Sequence, residues 1–511
     1  MSSNPHYADV HIESTLPKPW EQGQTFNDLL YDWMGRAPYL AIAIALHFIA
    51  FLVLNAIPWD LLNTDSPNKI QAAIEMPPEE PFEEPEEEEI EEIEEEVIEE
   101  PVVQTDQVVE EEEVSEDISD TPFDSDAFND AIGIGGGAGG KGGGLKGRRG
   151  RRKVDKAVNQ ALLAGLEWLK DHQSASGAWD CDGFPVECSK AGPLSDGEGD
   201  PLHDVGVTGL ALLAFLGFGD TMDDGDYKDV IKRGVDWLLD QQDPDSGLIG
   251  EDVGEHFLYR HSIATLALCE AYYGSKHPIL KRKVQLAVNY IHNSRNSYAA
   301  WRYTVPPNGQ NDTSVTGWMV FALAAANEAG LDVDFEAFRG ALSWFDEVTD
   351  PQSGRTGYDK RGGLSSRSNA NMQYPATESE AMTAVAVLCR VFIANVFKED
   401  IEQNELLTRG ADLMLEKPPL WSDDGLTNDM YYWYYGSYAM YQLGGKYWQR
   451  WEKEMEKAII PTQRNDPPCF AGSWDPNGPW GYSGGRVYST ALMVLNLEVF
   501  FRYDNLLGTK G

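Results

Sequence analysis

From Gly472 the chain reads GSWDPNGPWGYSGGRVYSTALMVLNLEVFFRY, a Gly-x-Trp turn followed by a helix over Thr490–Tyr503 that is apolar on nearly every side. No other feature constrains the fold as much. A helix without a polar face has to be enclosed, since leaving apolar surface in water costs roughly 25 cal/mol per Å². The same unit recurs upstream, so the enclosure is supplied by its own copies.

Each copy opens with an amphipathic helix. In VNQALLAGLEWLKDHQ, Leu162, Gly165, Leu166 and Leu169 share one face, with Trp168 beside them. The turn Gly177-Ala-Trp179 follows, and then the more apolar DVGVTGLALLAFLGFG from Asp204. IKRGVDWLLDQQ pairs with HSIATLALCEAYYG across Gly247-Leu-Ile, and VQLAVNYIHNSRNSYAAW with DTSVTGWMVFALAAANEAG. FRGALSWFDEVTDPQSGRTGY pairs with TESEAMTAVAVLCRVFIA, and LLTRGADLMLEKPPLW with MYYWYYGSYAMYQLGG. YWQRWEKEMEKAIIPTQ pairs with the terminal helix. Six hairpins predict an all-α (α/α)6 toroid over residues 156–511, with half-wet first helices outside and all-apolar second helices inside. Closure removes the need for polar caps at the ends of an open array.

These Trp-turn-helix repeats, with DVGVTGLALLAF and STALMVLNLEVF, resemble the prenyltransferase and squalene-hopene cyclase repeat family over about residues 156–503. The resemblance is specific for fold and much less so for chemistry. The family's chemistries leave few traces. The strings nearest to a class II cyclase Asp-x-Asp-Asp acid are Asp180-Cys-Asp182-Gly and Asn311-Asp-Thr-Ser, and neither fits. Zinc ligands of the protein prenyltransferase type and the Cys-Gly-Glu-Gln of thioester toroids are missing. No cofactor or metal is expected, and whether the toroid is catalytic stays open.

Ligands of such toroids usually sit in the central cavity, among the N-termini of the inner helices, where unpaired N–H groups and a partial positive charge gather. The polar residues at those positions are His203 and Asp204, His256, Tyr259 and His261, Asp312, Glu378 and Glu380, Tyr435, Arg486 and Tyr488. They are the candidate ligand-binding set, for a lipid, a glycan or a peptide segment. Asp204, Asp312 and Thr377 also suit helix N-caps. Tyr431–Tyr435 are as readily core as cavity lining.

The formal net charge is −44, but residues 71–140 hold 27 acidic residues and no Lys or Arg. The imbalance therefore belongs to a linker, and nucleic acid is excluded as a partner on charge. Five cysteines are too few for a disulfide scaffold. Cys269 and Cys389 read as core, while Cys181 and Cys188 share a loop that suits a local disulfide or a metal site completed by His172 or His203.

Residues 1–37 read as a short cytoplasmic tail and residues 38–58 as a transmembrane helix. The nineteen residues between Pro38 and Pro58, apolar apart from His47 and Asn55, would rise about 28 Å as a helix, close to a bilayer core. Lys18 and Arg36 before the span and a first following cation at Lys69 predict an inner N-terminus and an extracytoplasmic, periplasmic toroid. Residues 59–155 read as a disordered spacer, first acidic and Pro-rich, then Gly- and Arg-rich. A tail, a span with a central His47 and a Pro/Glu linker are similar to TonB-type energy transducers over about residues 30–110. That resemblance implies a contact of the His47 helix with proton-channel motor proteins of the ExbB/ExbD type. Ala43 departs from the family's Ser, and its C-terminal domain is absent.

Overall fold

The computed structural model describes residues 155–502, apart from 298 and 402. The expected tail, membrane span, His47 contact and linker lie outside the described residues. Those described contain twelve α-helices: α1 (Lys156–Asp171), α2 (Asp204–Phe218), α3 (Lys228–Asp240), α4 (Phe257–Ser275), α5 (Pro278–Asn293) and α6 (Thr313–Ala329), followed by α7 (Glu336–Val348), α8 (Ala381–Phe397), α9 (Glu405–Glu416), α10 (Met430–Leu443), α11 (Gly445–Ile459) and α12 (Gly481–Arg502). Among the described residues strand pairing is limited to two isolated bridges, Gln242–Ile249 and Thr349–Thr356.

The even-numbered helices pack in sequence order and α12 returns onto α2, so the inner ring is closed. All of α2 after Asp204 is buried. Residues 201–218 are long and apolar enough to cross a membrane, yet they are wall of this ring and mostly buried in it. The odd-numbered helices bury one stripe each; α1 buries Val158, Ala161, Leu162, Gly165, Leu166, Trp168 and Leu169. The fold is the (α/α)6 toroid that the repeats predict.

Each outer helix leans chiefly on the inner helix before it in sequence, not on its own hairpin partner, and α1 leans on α12. Outer-helix glycines are the physical reason, because they let the two backbones approach. A Cβ at Gly165 would lie 2.5 Å from Val494 of α12, and one at Gly234 2.8 Å from Leu212 of α2. The terminal helix also begins before Thr490, with a non-helical break at Gly485.

The turns rivet the two rings together. The indole N–H groups of Trp179, Trp301 and Trp474 donate to the carbonyls of Leu169, Ile291 and Ile459 at 2.7–2.8 Å. The backbone N–H of the same three residues donates to the hydroxyls of Thr208, Thr316 and Thr490 on the inner helix. Gln173, Gln242 and Gln463 each bind the carbonyl of the turn glycine and one carbonyl of the next outer helix. Gly177, at φ +103°, lies so close to Arg233 that a Cβ would sit 2.2 Å from its carbonyl oxygen. Only glycine fits there.

At the seam where α1 meets α12, Trp168 donates its indole N–H to the Cys469 carbonyl at 2.8 Å. Cys188 is disulfide-bonded to Cys469, 281 residues away. The local Cys181–Cys188 bond is thereby ruled out: Cys181 is a buried free thiol. The alternative metal site loses Cys188 to the disulfide, and His172 Nδ1 is held by the Trp168 carbonyl at 2.8 Å. Arg486, buried, spans Asp196 at 2.6 Å and Asp475 at 2.7 Å. Its place is the seam, not the cavity.

Candidate functional site

A cavity of about 370 Å³ opens at the end of the ring where the inner helices begin. All six inner helices, or the loops leading into them, supply its wall. The deep part is apolar, made by Val207, Leu210, Ile263, Trp318, Ala381 and Met382. Trp318 is backed by the rings of Tyr434 and Tyr435, with centroids 6.1 and 5.3 Å away.

The mouth is polar. His203 and His256 stand together, ring centroids 5.6 Å apart. Burial holds the His203 pKa down to about 4, with His256 and Arg260 adding to the effect. Burial likewise lowers that of His256, partly offset by Glu255. Both imidazoles are therefore neutral near pH 7. Three guanidinium groups reach the wall. Arg260 donates to the carbonyls of Leu202, Glu251 and Val253. Arg367 is paired with Asp429 at 3.2 Å and lies over the Trp480 ring. Arg302 lies over the rings of Tyr303 and Tyr358, 3.9 Å from Asp359.

A tyrosine cluster joins the mouth to a buried acid. Tyr259 and Tyr303 line the cavity, and the hydroxyls of Tyr303 and Tyr358 touch. Behind them Asp312 N-caps α6, its Oδ1 accepting from Val315 N–H at 2.8 Å. Oδ2 has no partner at hydrogen-bonding distance. Burial pushes the Asp312 pKa up to about 7, against the Val315 N–H and the nearby Arg302, which favour the anion.

Of the residues expected at the site, His203, His256, Tyr259 and Tyr488 line the cavity and Asp312 stands behind its wall. Six others hold the fold. Asp204 accepts from the Cys181 backbone N–H at 2.8 Å. It occupies the first turn of α2, where burial lifts its pKa to about 6, and the N-cap position belongs to His203. Glu380 is buried against Arg355 at 2.7 Å and accepts from Thr383. Glu380, not Thr377, stands at the N-cap of α8. Glu378 is exposed beside Lys417. Tyr435 packs behind Trp318 and Tyr431, and Arg486 closes the seam. Of Tyr431–Tyr435, only Tyr431 reaches the cavity.

His261 is the instructive case. Its Nδ1 accepts from Ile249 N–H at 3.0 Å and its Nε2 donates to the Ala287 carbonyl at 3.1 Å. It fills in the second copy the place that Thr208, Thr316 and Thr490 fill in theirs, and burial lowers its pKa to about 4. Replacing His261 by Ala strands two buried backbone groups and should cost about 3 kcal/mol in urea unfolding. His261→Thr should cost less, and neither change should alter ligand affinity.

Sequence reasoning missed Arg302, Tyr303, Tyr358, Ser365, Arg367 and Trp480, all lining the cavity. Each lies in a segment between an outer and an inner helix. That location is the signal that could have found them.

Residues 147–354 match the squalene-hopene cyclase C-terminal domain. No curated protein matches the sequence. Among solved structures it is similar to an inactive variant of the α-1,6-mannanase GH76A of Salegentibacter sp. HEL1_6, at 11% identity over 67% of this chain and 99% of that one, TM-score 0.46. A GH76 α-mannanase of Bacteroides thetaiotaomicron aligns at 10% identity over 70% and 98%, TM-score 0.46. The type II terpene cyclase MstE of Scytonema aligns at 13% over 67% and 96%, TM-score 0.42.

Proposed function

We propose that the chain is a single-pass, membrane-anchored envelope protein whose squalene-cyclase-like toroid is a ligand-binding or scaffolding module. The cavity carries this reading. It has the size of a small-molecule site, an aromatic and aliphatic interior and a few converging polar groups at its mouth. Glu255 is the only carboxylate among the described residues on its wall. Glycoside hydrolysis generally needs two carboxylates flanking the bond. Binding without turnover fits this wall better. The test is mass spectrometry of the small molecules that co-purify with the full-length chain, repeated with Trp318→Ala. A bound species that the substitution removes supports the reading; a preparation without any such species counts against it.

Anchoring through residues 38–58, an inner N-terminus and a periplasmic toroid rest on the apolar span and the placement of Lys and Arg around it. The Cys188–Cys469 bond suits an oxidising compartment. A coupling of the His47 helix to an ExbB/ExbD-type motor predicts co-purification with channel-type membrane proteins. Replacing His47 by Ala should abolish it, and unchanged co-purification would dispose of the coupling.

The second reading is an envelope enzyme, a polysaccharide lyase or hydrolase or an atypical terpenoid cyclase. Its specific support is Asp312, buried behind the Tyr303–Tyr358 contact with its pKa pushed up to about 7, an arrangement suited to general acid work. It requires a turnover that Asp312→Asn abolishes in a folded protein.

A further inference from the structure

We infer that the ligand of this cavity is an acid with an apolar body, its carboxylate, sulfate or phosphate group seated on Arg302. The inference rests on the binding reading above and names what is bound.

Arg302 is the most loosely held of the three guanidinium groups, lying over the rings of Tyr303 and Tyr358 without a close ion pair. Arg260 is committed to three backbone carbonyls and Arg367 to Asp429. Arg302 approaches a carboxylate only at 3.9 Å, on Asp359, and its side chain is 25% exposed. A guanidinium so placed presents several N–H donors and accepts nothing.

Three further groups on the same wall point the same way. Trp480 Nε1, Tyr488 Oη and Ser365 Oγ are buried atoms that line the cavity without a hydrogen-bond partner. An indole N–H can only donate, and the two hydroxyls can. Buried polar atoms are nearly always satisfied, so unmatched ones facing a cavity describe what it takes. A neutral sugar answers such donors only through its hydroxyl lone pairs, and its own O–H groups then need acceptors elsewhere on the wall. An anion brings acceptors alone, and charge-assisted bonds to it are the stronger kind. The interior beneath, with Val207, Ile263, Trp318 and Met382, is mostly apolar and suits an alkyl body.

The test measures octyl phosphate and 1-octanol binding to the full-length chain by calorimetry. Octyl phosphate should bind at least about tenfold more tightly, as one or two charge-assisted bonds provide. Arg302→Gln should bring the two affinities together while leaving octanol binding and Tm unchanged, and Arg302→Lys should keep most of the difference. Equal affinities in the unmodified protein would overturn the anion inference and leave the binding reading in place. A preference that survives Arg302→Gln would overturn Arg302 as the seat. Binding of neither probe would remove the binding reading as well.

Discussion

Reducing the Cys188–Cys469 bond should lower the unfolding free energy by about 4–5 kcal/mol. The bond closes a loop of 281 residues, more than half the length of the chain. In the chain-entropy view the benefit grows with the logarithm of loop length, because the cross-link withdraws freedom from the unfolded chain. The native side is arranged to receive it. The Cys469 carbonyl already accepts the Trp168 indole, and Arg486 holds Asp196 and Asp475 on the two sides of the same seam. Denaturant unfolding with and without reductant, with Cys188→Ser as the non-reducible equivalent, checks this. A midpoint indifferent to reductant would show that the remaining seam contacts suffice.

Asp312→Asn should raise stability at pH 8 by roughly 4 kcal/mol and leave it unchanged below pH 4. The sign follows from the direction of the shift. The folded pKa of Asp312 is pushed up to about 7 from the ordinary 3.8 of an aspartate. Between those values the folded state holds a proton that the unfolded chain has released, and the stability it contributes is lost as pH rises through 7. Asn escapes that loss and still caps α6 through its side-chain oxygen. His172, His203 and His261 titrate the opposite way, each lowered to about 4 by burial, so they erode stability as pH falls from 6.5. The difference between variant and parent cancels the histidines. Thermal unfolding from pH 4 to 8 reads it directly, and a gain that is the same at every pH would contradict the assignment.

The ring itself was legible because apolarity without a polar face admits few solutions. Six such helices, each preceded by an amphipathic one, left closure as the economical arrangement. The partner of each outer helix was not legible, since glycines such as Gly165 say that something comes close without saying what. The seam was invisible for the same reason: Cys188 and Cys469 are joined only when the first and last copies meet. Of the polar residues near the inner-helix N-termini, His203, His256, Tyr259 and Tyr488 line the cavity. His261, Glu380 and Arg486 stand off it, their polarity serving backbone groups and buried ion pairs. A histidine doing a threonine's work looks catalytic until its two hydrogen bonds are counted.

That α1 rests on α12 has a bearing on how the molecule is made. The earliest helix of the ring to leave the ribosome waits for the latest, with Leu166 and Trp168 lacking their proper cover until α12 has emerged. Trimming the C-terminus therefore injures the start of the domain as much as its end. A rearranged gene that begins at α2 and appends α1 behind α12 would spare the nascent chain that delay.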